Sequence, residues 1–371
     1  MKGKKLIYII SEVNKSLHFE WIIPFLKAEF DLSFILIGTS GSCLEQFLKS
    51  ERVPVSSFEY FRKSDLIGVW FKILKIFIKS RPDIIHTHLW KANLIGLAAA
   101  WLAGVKKRIY TRHHATIHYT AYRSGLKWDR LNNRLATHII AISKNVEHLL
   151  ICLDKAERSK VRLINHGFQF SYFRNVDPDR KRHLYQKYKI NPEHHPVIGV
   201  ISRLTEWKGV QYIIPAFRKL RASFPSAHLI LANAHGDYSD TIDVLLAELP
   251  SSSFTKIVFE NDLAALYQMF DIFVHVPVDE ESEAFGQVYI EPLIIGLPCV
   301  FTLSGIAREF VTHEENAMVV AFRSSEQIHA SIAKLLNNQP MVELLSNNGR
   351  KAVAKFTIGR YLDSLKNLYM E

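Results

Sequence analysis

The sequence has few cysteines and no long apolar run, and both absences narrow what the protein can be. Its three cysteines, Cys43, Cys152 and Cys299, are scattered without disulfide or metal-ligand spacing, which suits a reducing cytoplasm. The longest apolar stretch, residues 94–105, is shorter than the roughly 20 residues that a membrane-spanning helix needs. We therefore predict neither a disulfide scaffold nor an integral membrane protein.

Other missing features exclude further classes of protein. No G-x-G-x-x-G motif follows the first strand of either half, which disfavours a dinucleotide-dependent oxidoreductase. The basic N-terminus is followed by a short apolar run that ends at Ser11 and Glu12, so no export signal is expected. No known nucleic-acid-binding module is visible, and nucleic acid is not an expected partner.

Positive charge is concentrated in the first half of the chain. Residues 1–177 hold 28 Lys and Arg against 14 Asp and Glu, a net charge of +14, whereas residues 178–371 hold 19 against 22, a net charge of −3. A field confined to one half favours an anionic partner, such as a membrane surface, for that half.

The 371 residues predict two α/β domains. Short apolar runs that do not alternate with polar residues are separated by helix-length segments, the pattern of parallel strands covered by helices on both faces. A polar, proline-containing segment at 175–196 marks a boundary. The predicted strands are residues 5–10, 32–38, 83–88, 107–111, 138–143 and 161–165 in the first half and 197–202, 228–233, 256–260, 271–276, 298–302 and 317–320 in the second.

A cationic pair follows the first strand of the second half. Arg203 and Lys208 flank a turn after residues 197–202. A planar guanidinium and a mobile ammonium at a strand end could hold a diphosphate and stabilise a departing phosphate. Taken alone, the same pair could be an ordinary solvated turn.

Two glutamates bracket a predicted helix start further along. Glu283 precedes Gly286, where the helix is expected to begin, and Glu291 lies between one and two turns inside it, before a stop at Gly296. Free amides at such a helix start suit an anion or sugar hydroxyls. The Glu291 carboxylate could accept two hydrogen bonds from a vicinal diol such as a ribose. Surface charge is the alternative interpretation of this pair.

Together, residues 203–209 (RLTEWKG) and 283–300 (EAFGQVYIEPLIIGLPCV) resemble the retaining glycosyltransferases of family 4. The resemblance implies the α/β GT-B fold, in which two doubly wound Rossmann-like domains face a central cleft. It implies an acceptor-side domain at residues 1–178, a nucleotide-sugar domain at 179–355, and a C-terminal helix at 356–371 that returns to the first domain.

The resemblance also implies a nucleotide-diphosphate-sugar donor and no metal or other cofactor. The implied mechanism is front-face attack, in which the leaving diphosphate helps to deprotonate the acceptor hydroxyl. Arg203 and Lys208 would hold the diphosphate, Glu283 the sugar hydroxyls and Glu291 the ribose. The remaining donor-binding residues would be Ala284, Phe285, Gly286 and Gln287.

Histidines follow two strands of the first half. The run IYTRHHATIHY (109–119) matches the family's Thr-x-His, which makes His113 the implied catalytic histidine and His114 its rival on the acceptor side. His86 and His88 end a neighbouring strand, and His88 is a second acceptor-side candidate. Their spacing could suit a metal, but no carboxylate or cysteine is near in sequence, so we expect no metal site. Gly167 in LINHGF is expected to meet a requirement of the backbone and not to take part in the chemistry.

The acceptor is predicted as a glycan or a lipid-linked sugar, in cell-surface polysaccharide or glycolipid synthesis. In the helical segment 64–81, Lys72, Lys75 and Lys79 fall on one stripe among apolar residues. The helix could pack on the sheet or rest on an anionic membrane, which would make the protein cytoplasmic and peripheral to the inner face. A sugar-nucleotide epimerase or a phosphorylase of the same fold, and a binding module without turnover, are the alternative functions.

Overall fold

The computed structural model describes residues 3–120 and 122–371, which form two compact units. Unit 1 runs to Phe168 and includes Phe356–Glu371, whereas unit 2 is Gln169–Lys355. The sequence placed the first boundary at 178. The structure places it earlier because the helix Phe170–Arg174 packs against two helices of unit 2, Leu263–Tyr267 and Glu291–Ile295.

Unit 1 is built on a seven-stranded sheet in the order β3-β2-β1-β4-β5-β6-β7, and all its neighbouring strands are parallel. The order reverses between β1 and β4, and most residues of these two strands are fully buried. Unalternating apolar strands of this kind need helices on both faces of the sheet. The strands are β1 (Lys5–Ser11), β2 (Asp31–Ile37), β3 (Val55–Phe58), β4 (Ile84–His88), β5 (Lys107–Arg112), β6 (His138–Ala141) and β7 (Val161–Leu163).

The helices of unit 1 include the last one of the chain. They are α1 (Leu17–Glu29), α2 (Cys43–Ser50), α3 (Asp65–Ser80), α4 (Trp90–Leu102), α5 (Ile117–Thr120), α6 (Leu126–Leu135), α7 (Lys144–His148) and α16 (Ile358–Met370). The Tyr369 hydroxyl on α16 hydrogen-bonds to Tyr8 on β1 and, at 2.7 Å, to His86 Nδ1 on β4. Gly167 meets a requirement of the backbone, as predicted. It allows a close approach to α16, since a Cβ there would lie 2.5 Å from the Tyr361 Cβ of that helix.

Unit 2 contains a six-stranded parallel sheet in the order β10-β9-β8-β11-β12-β13, which reverses between β8 and β11. Its strands are β8 (Val197–Ile201), β9 (His228–Ala232), β10 (Phe254–Ile257), β11 (Ile272–His275), β12 (Cys299–Phe301) and β13 (Met318–Val319). Its helices are α8 (Phe170–Arg174), α9 (Pro178–Lys187), α10 (Val210–Ser223), α11 (Ser239–Leu246), α12 (Leu263–Tyr267), α13 (Glu291–Ile295), α14 (Ser325–Leu336) and α15 (Gln339–Val353).

The predicted α/β class is confirmed, and each of the twelve predicted strands overlaps an observed one. Strand β3 was missed because its two serines and half-buried side chains lack the apolar signal of the other strands. Across the described residues, no helix is both long enough and apolar enough to cross a bilayer.

Candidate functional site

The predicted donor residues of unit 2 lie where the strand order of its sheet reverses. Strands β8 and β11 are parallel neighbours at this point, so their carboxyl ends meet at one edge. Ligands of open α/β sheets bind at such a switch point. Lys208 belongs to the turn after β8, and His275 is the last residue of β11.

The turn that carries Lys208 is pressed against the end of β11. It forms a 3₁₀ turn over Glu206–Lys208 and ends at Gly209, whose φ of 75° favours glycine. A Cβ at Gly209 would lie 1.9 Å from the carbonyl oxygen of Val276, so only glycine allows this approach. The Val278 amide donates to the Trp207 carbonyl at 3.0 Å and holds the two segments together.

Glu283 is the centre of a buried cluster of charged and polar groups. Its Oε1 accepts a hydrogen bond from Lys208 Nζ and another, at 3.0 Å, from His275 Nε2. The residue is only 5% exposed. Burial alone would raise the pKa of this carboxyl, but the Lys208 charge and the two hydrogen bonds outweigh it and hold the pKa at about 2. Glu283 is therefore an ionised, oriented hydrogen-bond acceptor.

The backbone around Glu283 is held by glycines and a serine. The Glu283 amide donates to Ser304 Oγ at 3.2 Å, and a Cβ at Gly305 would lie 2.7 Å from the Glu283 Cβ. Gly286 has a φ of 82°, which permits the sharp bend after buried Phe285. Of the other predicted donor residues, Ala284 is half-buried and Gln287 is exposed.

The predicted helix start near Gly286 is wrong. Only one 3₁₀ turn, Gln287–Tyr289, follows that glycine, and α13 begins at Glu291 and ends before Gly296. The reason is Pro292, which lacks an amide proton and is tolerated only in the first turn of a helix. Glu291 is thus the first residue of the helix and does not lie inside it.

Glu291 is buried in a different environment from that of Glu283. Its Oε2 accepts a hydrogen bond of 2.6 Å from the Tyr267 hydroxyl on α12, and it forms no ion pair within residues 3–120 and 122–371. Burial raises the pKa of this carboxyl to about 7, with only the Tyr267 hydrogen bond opposing it. The pKa values of the two glutamates are shifted in opposite directions because only Glu283 has a cation beside it.

The structure does not bring every predicted donor residue into this cluster. The Arg203 side chain is exposed and makes no ion pair with any residue described. Lys208, in contrast, is largely buried against Glu283. Two residues of the site, His275 and Tyr267, were not predicted from the sequence. His275 could have been found as a polar residue that ends a strand at a switch point, but Tyr267 has no comparable signal.

In unit 1, the predicted catalytic His113 is paired with His88. His113 Nε2 lies 3.0 Å from His88 Nδ1, and the His113 ring stacks on the His166 ring with 5.6 Å between their centroids. Burial, reinforced by neighbouring imidazoles, lowers the pKa of His113 to about 3 and that of His88 well below its ordinary value. These rings are neutral at physiological pH, so one nitrogen donates and the other accepts in the hydrogen bond between them.

His86 is part of the buried core of unit 1. Its Nδ1 contacts the Tyr369 hydroxyl at 2.7 Å and its Nε2 contacts Thr111 Oγ1 at 2.8 Å, so both ring nitrogens are used. The metal site that the spacing of His86 and His88 could suggest is therefore not favoured.

His114 lies in a separate cluster from His113. His114 Nε2 and His118 Nδ1 both contact Asp129 Oδ2, at 3.2 and 2.6 Å, and these three residues have the spacing of metal ligands. The buried Arg112 guanidinium lies 3.0 Å from the same oxygen and also contacts Asp154. Because this cation already compensates the carboxylate, we interpret the group as a hydrogen-bonded structural network.

Each of the two units matches a known protein family. The family model described as Glycosyl transferases group 1 matches residues 181–352, and that of Glycosyltransferase Family 4 matches residues 30–171. The structure of Anabaena HepE in complex with UDP and glucose is similar, with a TM-score of 0.84, 20% identity, and coverage of 98% of this chain and 99% of HepE. These likenesses define a glycosyltransferase of the GT-B fold.

Proteins with similar sequences are also named glycosyltransferases. The capsular polysaccharide biosynthesis glycosyltransferase CapM of Staphylococcus aureus is 26% identical, over 100% of this chain and 97% of CapM. An Escherichia coli UDP-Gal:alpha-D-GlcNAc-diphosphoundecaprenol alpha-1,3-galactosyltransferase is 21% identical, over 81% of this chain and 78% of its own length. The chain belongs to the family 4 glycosyltransferases. An epimerase or phosphorylase, the alternative that the sequence raised, is not favoured.

Proposed function

We propose that this glycosyltransferase acts with retention of anomeric configuration and without a metal. It would transfer a sugar from a nucleotide-diphosphate sugar to a hydroxyl of a glycan or lipid-linked acceptor, in cell-surface polysaccharide or glycolipid synthesis. The observation that carries the proposal is the buried contact of Lys208 and His275 with Glu283 at the switch point of unit 2.

The proposed chemistry is electrostatic. Lys208 and Arg203 stabilise the negative charge that develops on the departing diphosphate, and Glu283 holds the hydroxyls of the donor sugar. The departing phosphate oxygen accepts the proton of the acceptor hydroxyl on the same face of the sugar, so no protein nucleophile is needed. Glu291 binds the ribose, and Ala284, Phe285, Gly286 and Gln287 complete the donor contacts.

In unit 1, we propose that His113 contacts the transferred sugar and that His88 and His114 lie on the acceptor side. The hydrogen bond between His113 and His88 supports this assignment for these two residues. Their neutral imidazoles can exchange hydrogen bonds with sugar hydroxyls without placing a charge beside them.

A product assay with the full-length protein tests the proposed reaction. UDP-glucose is the first donor to try because HepE, a structural neighbour, is known in complex with it. We expect release of the nucleoside diphosphate, transfer to a lipid-linked sugar acceptor, an unchanged anomeric configuration by NMR, and equal turnover with and without EDTA. An inverted product, or loss of activity in EDTA that added metal restores, would contradict the proposed mechanism.

We further propose that unit 1 contacts an anionic membrane through the outward face of α3. Three stripes run along this helix at helical spacing. The buried stripe is Val69, Ile73 and Phe77. The exposed apolar stripe is Ile67, Phe71 and Ile78, each about three-fifths exposed. The exposed basic stripe is Lys72, Lys75 and Lys79. An apolar ridge beside lysines is the pattern of a helix that lies in a bilayer interface.

Vesicle co-sedimentation tests the membrane contact. The full chain should sediment with vesicles of phosphatidylcholine and phosphatidylglycerol and much less with phosphatidylcholine alone. The double variant Phe71→Ser/Ile78→Ser should lose this binding. Val244→Ser/Val258→Ser, which removes two exposed apolar side chains from unit 2, should keep it. Equal sedimentation of the two variants would rule out α3 as the contact.

A further inference from the structure

His275 lies directly against the carboxylate proposed to hold the donor sugar. Its side chain is 1% exposed, its Nε2 is 3.0 Å from Glu283 Oε1, and its ring meets the Tyr289 ring edge-on at 4.8 Å. Tyr289 is itself fixed by a hydrogen bond from its hydroxyl to the Thr302 carbonyl. The imidazole is thus held in one place by packing and hydrogen bonding.

The surroundings of His275 determine which of its nitrogens carries the proton. Its Nδ1 is buried and has no hydrogen-bond partner in the part of the chain that the structure describes, so a proton there would lack an acceptor. Its Nε2 faces the Glu283 carboxylate and must donate to it. Burial also lowers the pKa of His275, which keeps the ring neutral in this tautomer.

Lys208 and His275 differ as partners of Glu283. The Lys208 side chain is long and mobile, and the proposed function requires the same ammonium to contact the diphosphate. When the ammonium turns toward the donor, its contact with the Glu283 carboxylate weakens. If Lys208 were the sole partner, the charge of this buried carboxylate would then be poorly compensated. His275 on β11 is the donor that can stay in place.

We propose that His275 is a positioning residue of the donor-sugar site, which keeps the Glu283 carboxylate oriented while Lys208 engages the diphosphate. This inference rests on the proposed function, because it takes Glu283 as the sugar contact and Lys208 as the phosphate contact. It predicts that His275 contributes more to binding of the nucleotide sugar than to binding of the nucleoside diphosphate alone.

Calorimetry with two ligands tests the inference on the full chain. For wild type, His275→Leu and His275→Gln, we compare the affinity for a nucleoside diphosphate with that for the corresponding nucleotide-glucose, using the UDP, GDP, ADP and dTDP series. His275→Leu should weaken nucleotide-sugar binding by about tenfold or more and nucleoside diphosphate binding by a smaller factor, because both ligands draw Lys208 away from Glu283 but only the nucleotide sugar needs the carboxylate oriented. His275→Gln, which retains an N–H donor, should recover most of the loss.

The pH profile gives a second measurement that a packing defect would not change. Among the described residues, Lys208, His275 and Tyr289 are ionisable groups that face Glu283. Without the hydrogen bond from His275, the pKa of Glu283 rises. The ratio of His275→Leu to wild-type affinity for the nucleotide sugar should therefore fall as pH is lowered from 8 to 5, while the ratio of His275→Gln to wild-type affinity stays level; the titration of Glu291 is common to all three proteins and cancels in these ratios.

The possible outcomes separate the two levels of the proposal. If wild type binds a nucleotide sugar and His275→Leu shows the same affinities and pH profile, the inference is overturned and the proposed function stands. A loss in His275→Leu that affects nucleoside diphosphate and nucleotide sugar equally also overturns it. If wild type binds no nucleotide sugar, the proposed function fails, and the inference fails with it.

Discussion

The side chains that we assign to the proposed site differ in electrical state between the two units. In unit 2, Lys208 and Glu283 form an ion pair in the interior, and this environment holds the pKa of Glu283 at about 2. In unit 1, burial lowers the pKa of His88 and His113 so far that both imidazoles are neutral. One unit presents fixed charges at a sheet edge, and the other presents uncharged hydrogen-bonding groups.

This contrast is the reverse of what the overall charges suggest. The basic half of the sequence contains the neutral histidine cluster, and its lysines on α3 are exposed. The second half has a small net charge, yet the ion pair of the proposed donor site lies in it. Net charge therefore describes the surfaces that a half offers to large partners, whereas the site depends on a few compensated groups.

Loss of the buried cation should have the largest effect. Lys208→Ala removes the partner of Glu283 and the proposed phosphate contact, and turnover should fall about 100- to 1,000-fold, as for a lost charge-stabilising donor. Lys219→Ala is the matched control because Lys219 pairs with Glu326 on the exposed surface of the same unit. Steady-state kinetics that show equal losses in both variants would remove Lys208 from the mechanism.

The turn that carries Lys208 should be nearly as sensitive. In Gly209→Ala, the new Cβ meets the Val276 carbonyl and the φ of 75° is strained, so we expect a loss of about 1–3 kcal/mol in unfolding free energy together with weak turnover. In Gly68→Ala, on α3, the Cβ meets nothing within 4 Å, and a gain of about 0.5–1 kcal/mol is expected. Urea denaturation checks both variants, and an unperturbed Gly209→Ala would contradict the account of the turn.

A moderate effect is expected at Glu291. Its pKa of about 7 in the folded state exceeds the ordinary value of 4.5, so the stability due to its protonated form is present below about pH 4.5 and is lost as pH rises through 7. Glu291→Gln removes that loss and should stabilise the free protein by about 1–3 kcal/mol at pH 8 but hardly at pH 5.

Thermal unfolding at the two pH values measures this difference. Glu343→Gln, which changes an exposed carboxyl on α15, is the control for the removal of a carboxyl as such. A Glu291→Gln effect of equal size at pH 5 and pH 8 would mean that Glu291 does not titrate in this range.

The smallest expected effect concerns the pH dependence of unit 1. Because the pKa of His113 is about 3, its charge does not change between pH 6 and 8. His113→Asn retains a hydrogen-bonding amide and should lower turnover about tenfold, by the same factor throughout this range. A ratio of wild-type to variant rates that changes around pH 6.5 would show that His113 titrates as an ordinary histidine.

The sequence predicts those parts of the fold in which burial and periodicity agree. Continuous apolar runs such as residues 197–202 identify buried parallel strands, whereas β3, with two serines at a sheet edge, gives no such signal. The motif around Glu283 and Glu291 indicates the candidate site, but its helix start was misplaced because Pro292 restricts the helix more than the apolar pattern indicates.

The partners of the site residues were harder to predict. The contact between Lys208 and Glu283 depends on Gly209 approaching β11, which is visible only once β8 and β11 are neighbours in the sheet. His275 and Tyr267 carry no motif of their own, and they contact the two glutamates across 8 and 24 residues of sequence. Sequence spacing alone does not encode such contacts.

A crystal structure of the full chain with the bound nucleotide sugar would show whether the donor occupies the switch point of unit 2. We expect the diphosphate at the carboxyl ends of β8 and β11 within hydrogen-bonding distance of Lys208 Nζ, and a sugar hydroxyl on the Glu283 carboxylate. A nucleotide sugar bound elsewhere, with Lys208 and Glu283 paired only to each other, would contradict this expectation.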